Sequence, residues 1–405
     1  MADKEQTGFN DTERRATLGL AGIYGSRMLG LFLILPVFAL YAEHLASATP
    51  VLIGMAIGIY GLTQAVLQIP FGLLSDRIGR KPVIVGGLLL FTLGSIIAAT
   101  ADDIGMIIVG RAIQGSGAIA AAVMALLADL TRDSQRTKAM ATVGVTIGMS
   151  FTVALIAGPF FNAWIGVPGL FWITAALAIA GILILLLLVP TPAHSSVHSE
   201  GEPVPALFGK VLRDTQLLRL DAGIFTLHLV LTALFLALPL TLRDAGLPVE
   251  QHSWLYLPVM LLSMGLMVPF IIMAEKKDKM KQVFTGAIAL LGIALAGFYL
   301  LSASIWGLGL MLLVFFTGFN LLEATLPSLV SKLAPGAIRG TAMGVYSTSQ
   351  FSGAFVGGLL GGWVHARFGE TSVFLMGAGF ILAWLLLAGS MAVPKSRTRG
   401  SKLSR

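Results

Sequence analysis

The chain has 405 residues, of which 56% are hydrophobic and 12% are charged, and its mean hydropathy is +0.87. Soluble globular chains carry about 25% charged residues, so this composition excludes an ordinary soluble enzyme and a disordered or fibrous chain. It is typical of a protein that crosses a membrane many times. Because cysteine is absent, a disulfide framework, a thiolate metal site and a cysteine nucleophile are also excluded.

Twelve apolar stretches follow one another along the chain, each close to the roughly 20 residues that a helix needs to cross a bilayer. Their hydrophobicity is continuous rather than alternating, which predicts helices and not the strands of a membrane barrel. The predicted fold is therefore all-α, a polytopic membrane protein. We number the predicted segments spans 1 to 12, and they cover residues 17–41, 51–74, 82–100, 104–128, 139–161, 167–189, 217–242, 253–274, 281–301, 304–329, 338–362 and 370–393.

The basic residues are concentrated on one side of this arrangement, which we call the basic face. Of 27 Lys and Arg residues, 23 lie in the two termini and in the segments 75–82, 129–138, 190–219, 275–282 and 330–340. The positive-inside rule then predicts that the basic face and both termini are cytoplasmic. This distribution explains the net charge of +7 without a nucleic-acid partner. The first 16 residues are polar, so no cleavable signal peptide is predicted.

The two halves of the chain resemble each other at an offset of 203 residues. Arg136-Thr-Lys-Ala-Met-Ala141 matches Arg339-Gly-Thr-Ala-Met-Gly344, although chance similarity between glycine- and alanine-rich helices is the alternative. Six spans lie on each side of a stretch rich in Pro, Ser and Gly, as in a linker. We therefore predict an N-terminal six-helix bundle (1–189), a cytoplasmic linker (190–216), a C-terminal six-helix bundle (217–394) and a basic tail (395–405).

Four short motifs carry a family resemblance. The loop between spans 2 and 3 reads Gly72-Leu-Leu-Ser-Asp-Arg-Ile-Gly-Arg-Lys81, span 4 reads Gly110-Arg-Ala-Ile-Gln-Gly-Ser-Gly117, span 5 carries Gly144, Gly148 and Gly158-Pro159, and span 1 carries Gly30 and Pro36. These segments resemble motifs A, B, C and D of the major facilitator superfamily, and the chain is similar to its drug:proton antiporters. Two departures stand out: Phe160 and Phe161 replace the glycine pair that usually follows motif C, and only about a dozen polar residues follow span 12, where some relatives carry a soluble domain.

The resemblance implies that motif A is a conformational latch. An anionic Asp76 facing the positive N-terminal end of span 11 would lock the two halves together on the basic face, in the outward-open state. Glycine at position 72 would allow another helix to approach closely. The alternative is a solvated loop that only sets topology. The candidate latch residues are Gly72, Asp76, Gly79, Arg80, Lys81, Asp129, Gly340 and Gly344.

Ionisable residues inside spans are costly in a membrane and are candidates for proton coupling. A histidine titrates near physiological pH, and a carboxyl group in an apolar cavity holds a proton more readily than in water. The alternatives are packing against backbone carbonyls for Arg111, snorkelling for Arg27, a core role for His228, a satisfied polar contact for Glu323 and an interface role for Asp221. With the neighbouring motif B residues, the candidates are Arg27, Arg111, Gln114, Gly115, His228, Glu323 and Asp221.

Small and polar side chains supply the remaining candidates. Motif C contributes Gly148, Gly158 and Pro159, where small residues permit close helix contact. Polar side chains within spans are candidates for contact with a substrate in a wide apolar cavity, and these are Tyr24, Gln64, Asn320, Tyr346 and Gln350.

We expect a transporter and not an enzyme, with no metal and no cofactor, because no cluster of carboxylates, Ser or metal ligands is visible and no P-loop is present. The resemblance implies alternating access and proton-coupled efflux of lipophilic or drug-like molecules from the bacterial inner membrane. A sugar or metabolite exporter of the same superfamily is one alternative, and a passive channel or a membrane receptor is another. The expected partners are a small-molecule substrate, protons and the lipid bilayer, with the protein acting as a monomer.

Overall fold

The computed structural model describes residues 8–192, 207–276 and 279–390. Within these ranges the regular structure is helical, and the β-type pairing is a single bridge between Ala46 and Asp103. The predicted basic tail and part of the predicted linker lie outside the described residues. In chain order the α-helices are α1 (Asp11–Leu33), α2 (Leu35–Ala42), α3 (Pro50–Ile78), α4 (Arg80–Ala99), α5 (Ile104–Ser116), α6 (Ala120–Asp129), α7 (Asp133–Leu187), α8 (Phe208–Val211), α9 (Thr215–Asp244), α10 (His252–Lys276), α11 (Met280–Leu300), α12 (Ile305–Leu333), α13 (Arg339–Phe368) and α14 (Ser372–Gly389).

Ten helical stretches in the described ranges are long and apolar enough to cross a membrane. One of them is α7, which has 55 residues and contains spans 5 and 6, divided at Gly166 with φ 66° and ψ 176°. A side chain would be strained at that φ, so glycine permits the reversal of the chain there. The remaining crossing segment is α13, which corresponds to span 11. Its many glycine and polar residues make it less apolar than the ten stretches above. The predicted all-α fold with twelve crossing segments is confirmed.

Spans 1 and 4 are each interrupted in mid-membrane. Span 1 consists of α1 and α2, which meet at Ile34 just before Pro36, where proline cannot donate a backbone hydrogen bond. Span 4 consists of α5 and α6, and between them the amide of Ile119 donates to the carbonyl of Gly117 over 2.9 Å. Backbone groups freed by such breaks are available to polar side chains of neighbouring helices.

The two halves meet through their glycine-rich helices, α3 (span 2) and α13 (span 11). A methyl group added at Gly54 would overlap the carbonyl oxygen of Gly358, and one added at Gly58 would lie 2.8 Å from the carbonyl oxygen of Phe355. The two backbones therefore touch directly, as small residues allow. These contacts lie toward the face away from the basic loops, which we call the opposite face.

Toward the basic face the halves are not closely packed at the corresponding glycines. Methyl groups added at Gly144 and Gly148 of span 5, or at Gly265 of span 8, would meet no atom within 4 Å. Toward the opposite face the same two spans touch, because the Ser253 hydroxyl donates to the carbonyl of Ile156 over 2.8 Å. The protein is therefore closed toward the opposite face and open between spans 5 and 8 toward the basic face.

Candidate functional site

The motif A residues form a charged cluster at the basic end of the N-terminal half. Arg80 is buried, forms an ion pair with Asp76, and places its Nε 3.5 Å from Oδ2 of Asp129 at the end of span 4. Arg80 also donates to the Ser75 hydroxyl over 2.9 Å, and that hydroxyl donates to the carbonyl of Gly72 over 2.7 Å. Ser75 is a member of this cluster that the sequence reasoning missed, because a serine in a loop motif carries no distinguishing signal.

The turn that presents this cluster depends on Gly79. Its backbone has φ 98° and ψ 151°, and it separates span 2 from span 3 within one residue. A residue with a side chain would be strained at this φ. The turn sets Asp76 and Arg80 one helical turn apart in sequence, on opposite sides of the break, so that their side chains can meet.

Within the described ranges, no hydrogen bond or ion pair joins Asp76 to span 11. Among the described residues the polar partner of Asp76 is Arg80, and the neighbour that a methyl group at Gly72 would meet is Ala121 of span 4, at 3.2 Å. The predicted approach of Gly340 and Gly344 to this loop is not shown here and stays a prediction for the conformation closed toward the basic face. The reason is the closure toward the opposite face, which leaves the halves apart toward the basic face.

Lys81 also departs from its predicted place in the latch. Its Nζ donates to the carbonyl of Val189 over 2.7 Å and to the Thr191 hydroxyl over 3.1 Å. A cation at the C-terminal end of a helix is favourable, because the last carbonyl groups are otherwise unpaired. Lys81 therefore holds the end of span 6 and the first residues after it.

Arg27 and Arg111 occupy the centre of the N-terminal half, and each is only 1% exposed. Arg27 donates to Oε1 of Gln64 over 2.7 Å and to the carbonyl of Gly117 over 2.9 Å, at the break in span 4. Arg111 donates to Oε1 of Gln114 over 2.9 Å and to the carbonyl of Ala56 over 3.3 Å. The snorkelling alternative for Arg27 is therefore wrong, because backbone and amide oxygens within the bundle bind its guanidinium group.

The ring of Tyr60 lies between the two guanidinium groups. The Cζ atoms of Arg27 and Arg111 are 5.8 Å and 5.1 Å from its centroid. Cation–π attraction of this kind offsets part of the cost of burying two positive charges. Gln114 completes the network by donating to the Ser95 hydroxyl over 2.7 Å.

Small residues of motifs B and C act at helix contacts within the N-terminal half. A methyl group at Gly115 would lie 2.9 Å from the carbonyl carbon of Tyr60, so glycine there lets span 4 approach span 2. A methyl group at Gly158 would lie 3.0 Å from Pro36, so span 5 packs against the break in span 1, and Pro159 follows in the same buried stretch. Gly148 makes no such contact, which corrects the expectation that all motif C glycines pack closely.

The C-terminal half carries acidic and imidazole groups at mid-membrane. Nε2 of His228 in span 7 lies 3.4 Å from Oε1 of Glu323 in span 10, and their side chains are 13% and 33% exposed. Gln350 of span 11 lies with its amide nitrogen 2.8 Å from Nε2 of His228. Three spans therefore converge on one imidazole ring.

Further polar groups line the same region. The amide of Asn320, one turn from Glu323, donates to the Ser263 hydroxyl of span 8 over 3.2 Å. Tyr346 is buried and interacts electrostatically with Glu323 and Asp221. Asp221 is also buried, and its Oδ2 atom has no hydrogen-bond partner among the described residues. The side chain of Asp221 is therefore enclosed by protein, and its interface role stays a prediction.

The substrate-cavity candidates fall into two groups. Asn320 and Gln350 are half-buried, whereas Tyr24, Gln64 and Tyr346 are buried. Gln64 is not available to a substrate in this conformation, because its amide oxygen binds Arg27. The half-buried pair lies on the same side as Glu323.

A set of phenylalanine rings joins the two halves next to the His228–Glu323 pair. Phe151 of span 5 stacks on Phe319 of span 10 with a centroid separation of 5.8 Å and contacts Phe32 of span 1 at 4.9 Å. Phe319 in turn lies 6.2 Å from the ring of His228. Phe319 precedes Glu323 by one helical turn toward the opposite face. These rings therefore cover the His228–Glu323 pair on that side.

Two ion pairs connect residues that are distant in sequence. Glu13 is almost fully buried at the start of span 1 and accepts hydrogen bonds from Arg132, with N–O distances of 2.8 and 2.9 Å. Glu43 accepts from Arg243 over 2.5 Å toward the opposite face. Neither pair is predictable from the sequence, because nothing in the local pattern distinguishes these residues from solvated ones.

Comparison with known proteins agrees with this architecture. Residues 20–358 and 281–404 match the profile of the Major Facilitator Superfamily. The inner membrane transport protein YajR of Escherichia coli (strain K12) is 52% identical over 382 residues, which cover 94% of this chain and 84% of YajR. The multidrug resistance protein MdtH of Aeromonas hydrophila is 25% identical over 346 residues, which cover 84% of each chain.

A solved structure shows the same fold. The crystal structure of the human organic anion transporter MFSD10 matches with a TM-score of 0.67 at 19% identity, covering 93% of this chain and 99% of that chain. The predicted fold and the predicted resemblance are therefore confirmed, and the relatives are transporters rather than enzymes.

Proposed function

The chain belongs to the Major Facilitator Superfamily, and from that premise we propose that it exports lipophilic, drug-like molecules in exchange for protons by alternating access. It is a multi-pass membrane transporter. The proposal of drug export is supported by the relatives named as multidrug resistance proteins. The proposal of proton coupling is supported by the acidic and imidazole groups within the C-terminal half.

Within this proposal the basic face is cytoplasmic. The positive-inside rule supports it, and tryptophans mark where the opposite face meets the interface between lipid and water. Of six tryptophans, five are exposed at the span ends toward the opposite face, and these are Trp164, Trp172, Trp254, Trp306 and Trp363. Indole rings favour the interface between lipid and water. The conformation open toward the basic face is then inward-open, the state that would take up a substrate from the cytoplasm.

The His228–Glu323 pair is the observation that carries the proposal. A carboxylate at mid-membrane is costly unless it is paired or protonated, and such groups mark ion and proton pathways. Glu323 has no arginine or lysine partner among the described residues, and a third of its side chain is exposed. We infer that protonation of this pair and binding of a substrate beside it exclude each other, which is the requirement for exchange.

The motif A cluster takes the role of a latch in the same cycle. In this conformation Asp76, Arg80 and Asp129 are already assembled within one half. Closure of the basic face would bring the N-terminal end of span 11 to Asp76, where a carboxylate is stabilised by the helix dipole. Asp76→Asn should therefore reduce transport while expression stays intact, and unchanged transport would contradict the latch.

The test of proton coupling is proton release from purified protein in weakly buffered detergent solution, screened over drugs and sugars. We expect a drug to release protons from the native protein and from Glu250→Gln, which neutralises an exposed acid on the opposite face. Glu323→Gln should release none. Release that persists in Glu323→Gln would exclude Glu323 as the proton carrier.

The alternatives give different outcomes in the same experiments. Proton release with sugars but not with drugs would indicate a sugar or metabolite exporter. In liposomes, flux that survives collapse of the proton gradient would indicate a passive channel. The exchange mechanism requires that this flux stops.

A further inference from the structure

We propose that Glu43 and Arg243 form a clasp that holds the two halves together on the opposite face, and that Arg243 passes from Glu43 to Glu370 when that face opens. The clasp lies at the opposite end of the molecule from motif A. It acts whenever the two halves move, whatever the substrate or the coupling ion.

The clasp joins the ends of two helices from different halves. Nη1 of Arg243, at the end of span 7, donates to Oε2 of Glu43, at the end of span 1, over 2.5 Å. The helices that carry them, α2 and α9, pack against each other along the same boundary. This ion pair lies at the same end of the molecule as the direct backbone contacts between spans 2 and 11.

The helix ends make the two partners unequal. Arg243 lies in the last turn of α9, where a cation is favoured by the helix dipole, and its Nε also donates to Asp244 over 2.8 Å. Glu43 follows the last residue of α2, where an anion is disfavoured by the same effect. Arg243 therefore keeps a partner when the halves separate, whereas Glu43 relies on Arg243 for compensation.

A second acid, Glu370, lies on the same half as Arg243. Glu370, in the turn between α13 and α14, lies close enough to Arg243, Asp244 and Glu43 for their charges to act on its carboxylate. Burial and the neighbouring Asp244 carboxylate raise the pKa of Glu370 above its ordinary value. Its anionic form is therefore undercompensated in this conformation and would gain from an Arg243 released by Glu43.

The surroundings of the clasp also contain an imidazole on a packed element. His365, near the end of span 11, interacts electrostatically with Glu43. The cluster thus places the Glu43, Asp244 and Glu370 carboxylates and one imidazole around a single guanidinium group. Because the carboxylates outnumber the fixed cation, Glu43 and Glu370 compete for it, and they belong to different halves.

The competition predicts opposite effects for two similar substitutions. Glu43→Gln removes the partner in the closed state and should shift the population toward opening of the opposite face by about two- to fivefold, the range of an exposed ion pair. Glu370→Gln removes the partner in the open state and should shift it toward closure. Arg243→Gln removes the cation in both states, so its shift should be smaller than that of Glu43→Gln, and Glu43→Ala gives a second variant if Glu43→Gln folds poorly.

Two distances between spin labels measure this population without transport. Because the chain has no cysteine, labels can be placed at Ala46→Cys and Gln251→Cys on the opposite face, and at Ser134→Cys and Gln282→Cys on the basic face. These four side chains are exposed. Glu250→Gln serves as the control for loss of one negative charge on the same face.

The expected result for Glu43→Gln is a longer distance on the opposite face and a shorter one on the basic face, with the reverse for Glu370→Gln and no change for Glu250→Gln. Shifts of the same sign for Glu43→Gln and Glu370→Gln would overturn the exchange of partners. No shift for Glu43→Gln and Glu43→Ala would overturn the clasp. Neither result would bear on the proton site, since drug-induced proton release is measured separately.

Discussion

The contact between spans 2 and 11 gives the most direct control over which face is closed. In Gly54→Ala the added methyl group would overlap the carbonyl oxygen of Gly358 and lie 2.9 Å from its carbonyl carbon and 3.2 Å from Cα of Gly362. All three are backbone atoms, which cannot rotate away as a side chain can. The two helices must therefore separate toward the opposite face, and this destabilises the conformation described here.

The size of the effect follows from the cost of overpacking. An extra methyl group in a closely packed contact costs about 1–3 kcal/mol. If the outward-open conformation lacks this contact, the whole cost falls on the inward-open one, and the ratio of the two populations changes by about 5- to 150-fold. We expect Gly54→Ala to lengthen the opposite-face distance between spin labels and to shorten the basic-face distance.

The matched control is Gly286→Ala in span 9, where the added methyl group meets no atom within 4 Å. It changes the same residue type in a membrane helix without touching the contact between the halves. Equal distance distributions for Gly54→Ala and Gly286→Ala, in protein that remains folded, would refute the reasoning. A shift of Gly54→Ala toward tighter closure of the opposite face would refute it as well.

Three further predictions use other features of the structure. Gly148→Ala adds a methyl group that meets no atom here, so it should leave the conformation open toward the basic face intact. If spans 5 and 8 come together when the basic face closes, the same methyl group should shift the label distances in the direction opposite to that of Gly54→Ala. Glu13→Gln breaks the nearly buried pair at the start of span 1 and should lower the free energy of unfolding by about 1.5–3 kcal/mol in a thermal unfolding assay, whereas the exposed Asp11→Asn should be neutral. Gly79→Ala forces a side chain onto φ 98° and should cost about 1–3 kcal/mol in the same assay, against no loss for Gly86→Ala, whose added methyl group has open space.

Hydropathy and charge were sufficient for the fold because the bilayer imposes them residue by residue. Each crossing must be apolar over roughly 20 residues, and each turn must be polar, so the twelve spans can be read from local composition. Even span 11 could be predicted despite its glycines, because the alternation of basic loops between the two faces requires a crossing there. The reversal at Gly166 also agreed with the predicted boundary between spans 5 and 6.

The polar contacts were harder to predict because they join residues that are far apart in sequence. Arg243 and Glu43 are separated by 200 residues, and His228 and Gln350 by 122. Their spacing on a helix says which face they occupy but not which helix faces them. The residue types of the motif A cluster could be assigned from its sequence pattern, whereas Ser75 became visible only through its hydrogen bonds.

The sequence could not predict which face is closed, for a different reason. The same chain must form both conformations, so its residues are compatible with both, and the balance rests on small differences in free energy. The expectation that Asp76 meets span 11 describes one of these conformations, and the structure describes the other. The glycines reflect this division: Gly54 is in backbone contact, whereas Gly148 faces open space.

The two ends of span 2 are connected by one continuous helix, so closure at one end affects the other. Gly54 and Asp76 both lie within α3, separated by about 33 Å at the helical rise per residue. When this rigid helix packs against span 11 at Gly54, its other end at Asp76 lies away from span 11. When the basic face closes, Asp76 approaches span 11 and Gly54 moves away from it. The backbone contact and the proposed latch therefore compete for the same two helices.

This competition predicts the behaviour of a double variant. Gly54→Ala penalises closure of the opposite face, and Asp76→Asn removes the contact proposed to hold the basic face closed. Because each change acts on a different conformation, the label distances in the double variant should return toward those of the native protein. The single Asp76→Asn variant should instead move them toward tighter closure of the opposite face. Additional opening of the opposite face in the double variant, beyond that of Gly54→Ala alone, would show that Asp76 does not stabilise closure of the basic face.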